Sequence, residues 1–138
     1  MKIIGLDLGN RTLGVAISDS LEIIANPIGT FRFDDLNLKA ALKYTVDIIK
    51  EQGVQKIVLG LPKNMDGSIG FQAEYCLKFK AMLEEALPLE VIMIDERLTS
   101  KIANSTMLSA DMSRQKRKKN VDKLAASIIL QSYLDRRK

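Results

Sequence analysis

The stretch that decides the fold lies near the start of the chain, where residues 3–19 read IIGLDLGNRTLGVAISD. Two runs rich in aliphatic residues, Lys2 to Leu8 and Thr12 to Ser18, flank a turn that contains Gly9. This pattern predicts two β-strands joined as a hairpin. Asp7 is the one charged residue between Ile3 and Leu8. Taken alone, it is explained as an acceptor for backbone amides of the turn, a common use of aspartate.

Periodicity divides the rest of the chain into further strands and helices. A segment from about Ile23 to Phe31 contains Pro27 and Gly29, which suits an edge strand with a bulge or bend. Apolar steps of three and four residues predict helices, and near-continuous apolar runs predict buried strands. The remaining elements are a helix after Asp34 and Asp35 that ends at Gly53, a strand Gln55–Leu61, a helix that ends by Pro88, a strand Leu89–Ile94, and helices at about 99–109 and 120–136. This βββαβαβαα order predicts a three-layer α/β fold with a mixed five-stranded sheet and helices on both faces.

Size and composition limit the possible functions. A chain of 138 residues with 46% hydrophobic residues is expected to form one domain, residues 1–138. No segment has the apolar length of a membrane span, and no export leader is apparent, so a cytoplasmic protein without a membrane partner is expected. Cys76 is the single cysteine and is predicted to be a buried core residue.

The absence of histidine restricts the chemistry further. A nucleophile activated by histidine and a zinc site built on histidine are both excluded. Catalysis or metal binding would therefore depend on carboxylates. Oxygen ligands favour a hard cation such as Mg²⁺ or Mn²⁺.

Three carboxylates are predicted to meet at one edge of the sheet. Ligands of such sheets bind outside the carboxyl ends of the strands. Asp7 lies at the end of the first strand, Glu96 follows the fifth, and Asp122 shares a face of the last helix with Ala125 and Ala126. Carboxylates in a partly buried site repel one another unless a cation or bound protons offset their charge. A divalent metal ion satisfies this requirement.

Each of these acids also has a purely structural interpretation. Glu96 could pair with Arg97, and Asp122 follows the predicted N-cap Asn120 by two residues, where the helix dipole favours an acid. Asp95 could be a fourth carboxylate of the site only if the chain turns between Asp95 and Glu96, because successive side chains of an extended segment point to opposite faces. The residues alone leave these alternatives open.

The basic residues are concentrated towards the C-terminal end. Residues 1–113 carry 12 Lys/Arg and 15 Asp/Glu, whereas residues 114–138 carry 9 and 2. A dense basic cluster is typical of surfaces that bind phosphate backbones through counterion release. A solvated basic loop that leads into the last helix is the alternative interpretation.

Four segments together carry a family resemblance: GLDLGNRTLGVAISD, GLPKNMDGSIG, IDERLTS and SRQKRKKNVDKLAASIILQSYLD. Their order and spacing resemble the YqgF/RuvX family of bacterial proteins, which are named either as Holliday junction resolvases or as pre-16S ribosomal RNA nucleases. The resemblance covers essentially the whole chain. It implies a ribonuclease H-like fold with active-site acids at Asp7, Glu96 and Asp122. The last helix departs from many nucleases of the superfamily, because Ala125 and Ala126 stand where a second acid might be.

The resemblance also implies metal-dependent hydrolysis of phosphodiester bonds. Asp7 would bridge two Mg²⁺ or Mn²⁺ ions about 3.5 to 4 Å apart, and Glu96 and Asp122 would complete their ligands. The expected substrate is precursor ribosomal RNA, cleaved at the 5′ end of pre-16S rRNA, and branched DNA is the alternative. Either a monomer or a homodimer is compatible with the sequence. Phosphates would be held by residues that position a backbone without reading its sequence: Arg11, Thr12, Lys63, Arg97, Arg114, Lys116, Arg117 and Lys118.

Two other classes of function remain open. The D-x-G-x-x-x pattern from Asp7 to Thr12 also resembles the first phosphate loop of actin-like ATPases and sugar kinases, in which the aspartate acts through Mg²⁺. The sequence has no second glycine-rich phosphate turn after a later hairpin, which counts against ATP binding. A non-catalytic protein that binds RNA or DNA through its basic C-terminal region is the other alternative.

Overall fold

The structure is a computed structural model that describes residues 1–62, 69–95 and 114–136. Within these residues five strands form one sheet in the order β3-β2-β1-β4-β5. The strand bounds are β1 Lys2–Leu8, β2 Thr12–Ser18, β3 Ala25–Arg32, β4 Val54–Leu61 and β5 Val91–Asp95. β2 is antiparallel to both β1 and β3, whereas β4 is parallel to both β1 and β5. The predicted mixed sheet and the β1–β2 hairpin are confirmed.

The edge strand β3 carries the predicted bulge. Val15 of β2 pairs with Gly29, and the next residue, Ala16, pairs with Pro27, so Ile28 has no residue opposite it. An extra residue of this kind twists an edge strand away from further pairing.

The start of β3 differs from the prediction by two residues. The strand begins at Ala25 instead of Ile23, because the Asp19 carboxylate accepts N–H groups from Leu21, Ile23 and Ile24. These hydrogen bonds close a local loop, and they hold the pKa of Asp19 below its ordinary value. The sequence did not reveal this loop, since aliphatic residues continue through it.

Helices α1 and α2 lie close to their predicted positions. α1 spans Leu38–Gln52, with the Asn37 side chain accepting the Ala40 N–H at its start and Gly53 in the left-handed conformation at its end. Glycine at this helix end is the predicted stop and avoids the strain of a side chain at positive φ. α2 spans Phe71–Ala86. The short helix predicted at about 99–109 lies outside the described residues.

Helix α3 spans Arg114–Arg136 and is longer than predicted. It begins six residues before Asn120, so the predicted helix start and N-cap at Asn120 are wrong, and the alternative interpretation of the basic run as a loop is wrong as well. Apolar periodicity is absent from this run, but lysine, arginine and glutamine have high intrinsic helix propensity. Asp122 consequently lies in the third turn, where the dipole at the helix start does not explain it.

Helices cover both faces of the sheet, as predicted. α1 and α2 pack on the face that carries Leu6, Val15 and Leu59, whereas α3 packs on the face that carries Ile3 and Val58. The inward stripe predicted for the last helix is also confirmed, with Ala125, Ala126 and Ile129 buried and Tyr133 partly buried. None of the helices in the described ranges is long and apolar enough to cross a membrane.

Candidate active site at the carboxyl edge of the sheet

Asp7 lies on the α3 face of the sheet, close to the end of β1. Successive side chains of a strand point to opposite faces. Ile4 and Leu6 belong to the core under α1 and α2, whereas Ile3 belongs to the core under α3 and Gly5 contacts α3. Asp7 shares the parity of Ile3 and Gly5, and it is half-buried. The carboxylate is therefore held at the edge where β1, β4 and β5 end, which is called the carboxyl edge below.

Two hydrogen bonds locate the C-terminal half of α3 near the start of β1. The Gln131 Oε1 atom accepts the Ala25 N–H at 2.9 Å, and Ala25 opens β3 beside the end of β2. Lys56 Nζ donates to the Tyr133 hydroxyl at 3.2 Å, and Lys56 pairs with Ile3 in the sheet. Both contacts lie at the end of the sheet opposite the carboxyl edge.

The middle of α3 crosses β1 at Gly5, so the helix runs antiparallel to the strand. A Cβ atom at Gly5 would lie 2.6 Å from the Leu130 Cβ. Asp7 is two residues beyond Gly5, or about 7 Å along the strand. Helix position 122 is four residues before Ala126, about 6 Å along the axis in the same direction. The backbone of α3 thus carries position 122 to the end of β1 where Asp7 lies.

The last residue of β5 points away from Asp7. Ile92 and Ile94 belong to the α3 face, whereas Val91 and Met93 belong to the other face. Asp95 is two residues after Met93 in the same strand, so it points to the face of Met93. Asp95 pairs with Leu61, the last residue of β4. Asp95 is thus at the same edge as Asp7 but on the opposite face of the strand. Glu96, the predicted ligand, lies outside the described residues.

The described residues hold only part of the predicted acidic site. Among them, no three His, Cys, Asp or Glu side chains are grouped closely enough to bind a metal ion. Two of the three predicted ligands, the side chains of Glu96 and Asp122, are not within that set.

The turn between β1 and β2 presents Arg11 at the carboxyl edge. The turn is closed by a 2.7 Å hydrogen bond from the Gly9 N–H to the Thr12 carbonyl oxygen. Arg11 Nε lies 3.7 Å from Asp35 Oδ1, and the two side chains are 74% and 55% exposed. An exposed ion pair of this length contributes little to stability, so the guanidinium can exchange this partner for a phosphate.

Two further segments are attached to the same turn. The Leu36 N–H donates to the Asn10 carbonyl oxygen at 2.8 Å, and Gln72 Nε2 donates to Asn10 Oδ1. The loop before α1 and the start of α2 therefore border the turn that follows Asp7. Leu36 and Phe71 both expose apolar side chains here, and neither was among the residues predicted for the site. Phe71 precedes the buried Tyr75 by four residues, the spacing of one helix face, so the sequence carried no signal that its ring is exposed.

Apart from Arg11, the predicted basic residues divide into two groups. Lys63 and Arg97 lie outside the described residues. The other four occupy the first turns of α3: Arg114, Lys116, Arg117 and Lys118. Because α3 runs antiparallel to β1, these helix positions extend from Asp122 in the direction that leads beyond the carboxyl edge.

Comparison with known proteins identifies relatives over the full length of the chain. The model of the RuvX family, described as Holliday junction resolvase, matches residues 1–136. A protein of Staphylococcus saprophyticus named "Putative pre-16S rRNA nuclease" is 53% identical over 135 residues, which are 97% of this chain and 95% of that protein.

Solved structures of lower identity share the fold. RuvC of T. thermophilus in complex with a Holliday junction substrate superposes with a TM-score of 0.64 at 12% identity, over 99% of this chain and 95% of that chain. The Fowlpox virus resolvase in complex with Holliday junction DNA gives a TM-score of 0.58 at 17% identity, over 99% and 98% of the two chains. The predicted ribonuclease H-like fold is thereby confirmed. On the full-length match of the family model and the 53% identity, the chain belongs to the RuvX family.

Proposed function

We propose that this chain is a metal-dependent endonuclease that hydrolyses phosphodiester bonds of structured nucleic acid, with pre-16S rRNA as its substrate. The observation that carries the proposal is the position of Asp7, half-buried on the α3 face at the carboxyl edge, with α3 running antiparallel to β1 above it. The rRNA substrate is supported by the name of a relative that is 53% identical over 97% of this chain.

Asp7, Glu96 and Asp122 are proposed as the metal ligands. Asp7 and helix position 122 lie towards the same end of β1. Glu96 is two residues after Ile94, whose side chain faces α3. If the chain continues in an extended conformation, Glu96 would point to the same face of the sheet as Ile94 and Asp7. The same parity argument leaves Asp95 out of the site.

The donor set suits a hard divalent cation. Oxygen ligands of this kind are preferred by Mg²⁺ and Mn²⁺, and the chain has no histidine to favour another metal. When bound, a pair of such ions would activate a water molecule and stabilise the leaving oxygen. Asp7, Glu96 and Asp122 would hold these ions.

Phosphate positioning is assigned to the basic residues around this edge. Arg11 occupies the turn after Asp7, Thr12 is the first residue of β2, and the first turns of α3 carry the four predicted basic residues of that helix. Such contacts orient a nucleic-acid backbone but do not read its bases. Lys63 and Arg97 complete the proposed set, which is Arg11, Thr12, Lys63, Arg97, Arg114, Lys116, Arg117 and Lys118.

Resolution of four-way DNA junctions is the second candidate. The description of the RuvX family model as Holliday junction resolvase favours it. Symmetric cleavage of a junction needs two active sites and hence a dimer, whereas trimming of an rRNA precursor can be performed by a monomer. The mass of the protein in solution, measured alone and with each substrate, therefore bears directly on this choice.

The nuclease proposal is tested by incubating the protein and its Asp7→Asn variant with a pre-16S rRNA fragment and with a four-way DNA junction. Each reaction is run in Mg²⁺ and in Mn²⁺. We expect the wild-type protein to cleave the RNA, and the variant to bind it without cleavage because a metal ligand is lost. Equal cleavage by both proteins would refute the role of Asp7.

A thermal-unfolding experiment separates the proposed function from the other classes. Mn²⁺ should raise the melting temperature of the wild-type protein without any nucleotide present, by an amount set by occupancy. The shift should be smaller in Asp7→Asn. A stabilisation that requires ATP together with the metal would favour an ATPase, and the absence of any metal effect would favour a non-catalytic binding protein.

A further inference from the structure

A pocket of about 280 Å³ opens next to the turn between β1 and β2, on the side of the sheet that α1 and α2 cover. It lies between the loop before α1 and the first two turns of α2. Its walls are mostly apolar, and two charged side chains border it. The lining residues are Leu36, Leu38, Phe71, Glu74, Tyr75 and Lys78.

Both walls of the pocket are attached to the turn that follows Asp7. Asn10 accepts the Leu36 N–H through its backbone and contacts Gln72 through its side chain. Asn10 is three residues after Asp7, so their Cα atoms are at most about 11 Å apart. The pocket therefore borders the turn that follows Asp7, but on the α1/α2 side of the sheet, whereas the Asp7 side chain lies on the α3 side.

The mouth of the pocket exposes an aromatic ring. Phe71 is 62% exposed, and its ring lies nearly parallel to that of Tyr75, with ring centroids 6.3 Å apart and an interplanar angle of 13°. Exposed aromatic rings beside a phosphate-binding groove are the usual platforms on which nucleobases stack. Leu36 is also exposed and faces the same pocket, so a flat ligand would find apolar contacts on both sides.

Tyr75 contributes a polar atom that has no partner in the described residues. The residue is 7% exposed, and its hydroxyl oxygen is buried without a hydrogen bond. Burial raises the pKa of this hydroxyl, and Cys76 and Asp35 raise it further. The group is therefore neutral at physiological pH and able both to donate and to accept. A buried hydroxyl without a partner costs stability, which a ligand could restore.

We propose that this pocket is a nucleobase subsite, in which one unpaired base of the bound strand stacks on Phe71 and hydrogen-bonds to Tyr75. The inference rests on the proposed nuclease function, because the base belongs to the strand whose phosphate reaches Asp7. The largely exposed Phe71 ring has few packing contacts to lose, so it can rotate off Tyr75 and admit the edge of the base to the hydroxyl. The subsite would favour cleavage next to unpaired nucleotides over cleavage within a continuous duplex.

The subsite is tested by measuring binding, not cleavage. The probe is a fluorescein-labelled RNA stem with a single-stranded flank, through which one abasic nucleotide is moved position by position. Affinity is measured by fluorescence anisotropy in Ca²⁺, and the RNA is checked to be intact afterwards. For the wild-type protein, one abasic position should weaken binding about tenfold, the size of a lost stacking contact.

Three variants give the expected pattern and its controls. Phe71→Ala should bind the intact RNA about tenfold more weakly and show no further loss with the abasic RNA. Leu77→Ala is the matched control, because Leu77 is a 40% exposed residue of the same helix that does not line the pocket, and it should behave as wild type. Tyr75→Phe should keep the abasic effect but lose any preference for one base at the sensitive position.

The outcomes separate the subsite from the nuclease activity. An abasic penalty that is the same in Phe71→Ala and in wild type would overturn the subsite, as would a wild-type protein with no sensitive position. A base preference that survives Tyr75→Phe would overturn the hydrogen bond. Failure of the nuclease proposal has a different signature, namely no cleavage by wild type in Mg²⁺ or Mn²⁺, or cleavage that Asp7→Asn leaves unchanged.

Discussion

Gly5 of β1 lies directly against Leu130 of α3, with no room for a side chain between them. A Cβ atom at Gly5 would lie 2.6 Å from the Leu130 Cβ and 3.0 Å from the Ala126 carbonyl oxygen. Both opposing atoms are close to or part of the helix backbone, so neither can move aside by a simple rotation of a side chain. The missing side chain at position 5 thus determines how near α3 lies to β1, two residues from Asp7.

Gly5→Ala should destabilise the protein and reduce cleavage together. Insertion of a methyl group at a packed contact costs about 1 to 3 kcal/mol in the free energy of unfolding. The strain should lift α3 from β1 and separate helix position 122 from Asp7. Urea unfolding and the single-turnover cleavage rate measure the two effects. Gly29→Ala is the control, because no atom lies within 4 Å of that added Cβ, and its stability should be unchanged or slightly raised. Equal stability of the two variants would contradict the contact.

Asp7→Asn should abolish most of the activity, whereas Asp95→Asn should leave it nearly unchanged. Mutation of a residue that hydrogen-bonds to a metal ligand typically reduces activity about ten- to a hundredfold. Because Asp7 is itself a proposed ligand, Asp7→Asn should reduce activity at least about a hundredfold. Asp95 is at the same edge, but the parity of β5 places it on the face opposite Asp7. Asp95→Asn should therefore retain activity of the wild-type order. A comparable loss in the two variants would make Asp95 a fourth carboxylate of the site.

Tyr75→Phe should stabilise the free protein. It removes a buried hydroxyl that has no hydrogen-bond partner in the described residues, and the gain should be about 1 kcal/mol in the free energy of unfolding. Denaturant unfolding at pH 7 measures this gain. A less stable variant would show that the hydroxyl has a partner in the free protein.

The raised pKa of the Tyr75 hydroxyl predicts that the protein loses stability at high pH. The folded state raises the pKa of Tyr75 above the ordinary value of 10.0, so the unfolded chain releases this proton first. As the pH rises above about 10, deprotonation of Tyr75 stabilises the unfolded chain more than the folded protein, so the free energy of unfolding decreases. Tyr75→Phe should show a weaker decline over this range. Melting temperatures of both proteins from pH 8 to 11 provide the measurement.

Neutralising the start of α3 should weaken nucleic-acid binding without changing sequence preference. Replacement of Lys116, Arg117 and Lys118 by glutamine should reduce the slope of log K against log salt by about 2 to 3, since each phosphate contact contributes about 0.7 to 0.9. The matched control replaces Lys39, Lys43 and Lys50 of α1, which packs on the other face of the sheet. A loss confined to certain sequences, or the same change of slope in the control, would argue against these backbone contacts.

Local patterns in the sequence were sufficient to predict most of the secondary structure. The hairpin around Asp7, the bulged edge strand near Pro27 and the helix stop at Gly53 each depend on residues that are neighbours in the chain. Their conformational preferences operate before any tertiary contact forms. The order of strands and helices then predicted a mixed sheet with helices on both faces, because few topologies bury such elements.

The site was less accessible from the sequence. The sequence predicted that Asp7 is a carboxylate at a strand end. The side of the sheet on which it lies became known only from the packing of Ile3 and Gly5 against α3. The start of α3 was misplaced at Asn120, because a run without apolar residues carries no periodic signal even when its helix propensity is high.

The sequence by itself determined which segments form strands and helices and where the acidic and basic side chains occur along the chain. Because the chain has no histidine, it also determined that a metal site would be built from oxygen ligands. Tertiary structure alone decided that Gly5 admits α3 against β1, that α3 runs antiparallel to that strand, and that Leu36 and Phe71 line one pocket beside the turn after Asp7. Those relationships join residues far apart in the chain. They depend on side-chain volumes and on the packing of complete layers, which no local pattern of residues encodes.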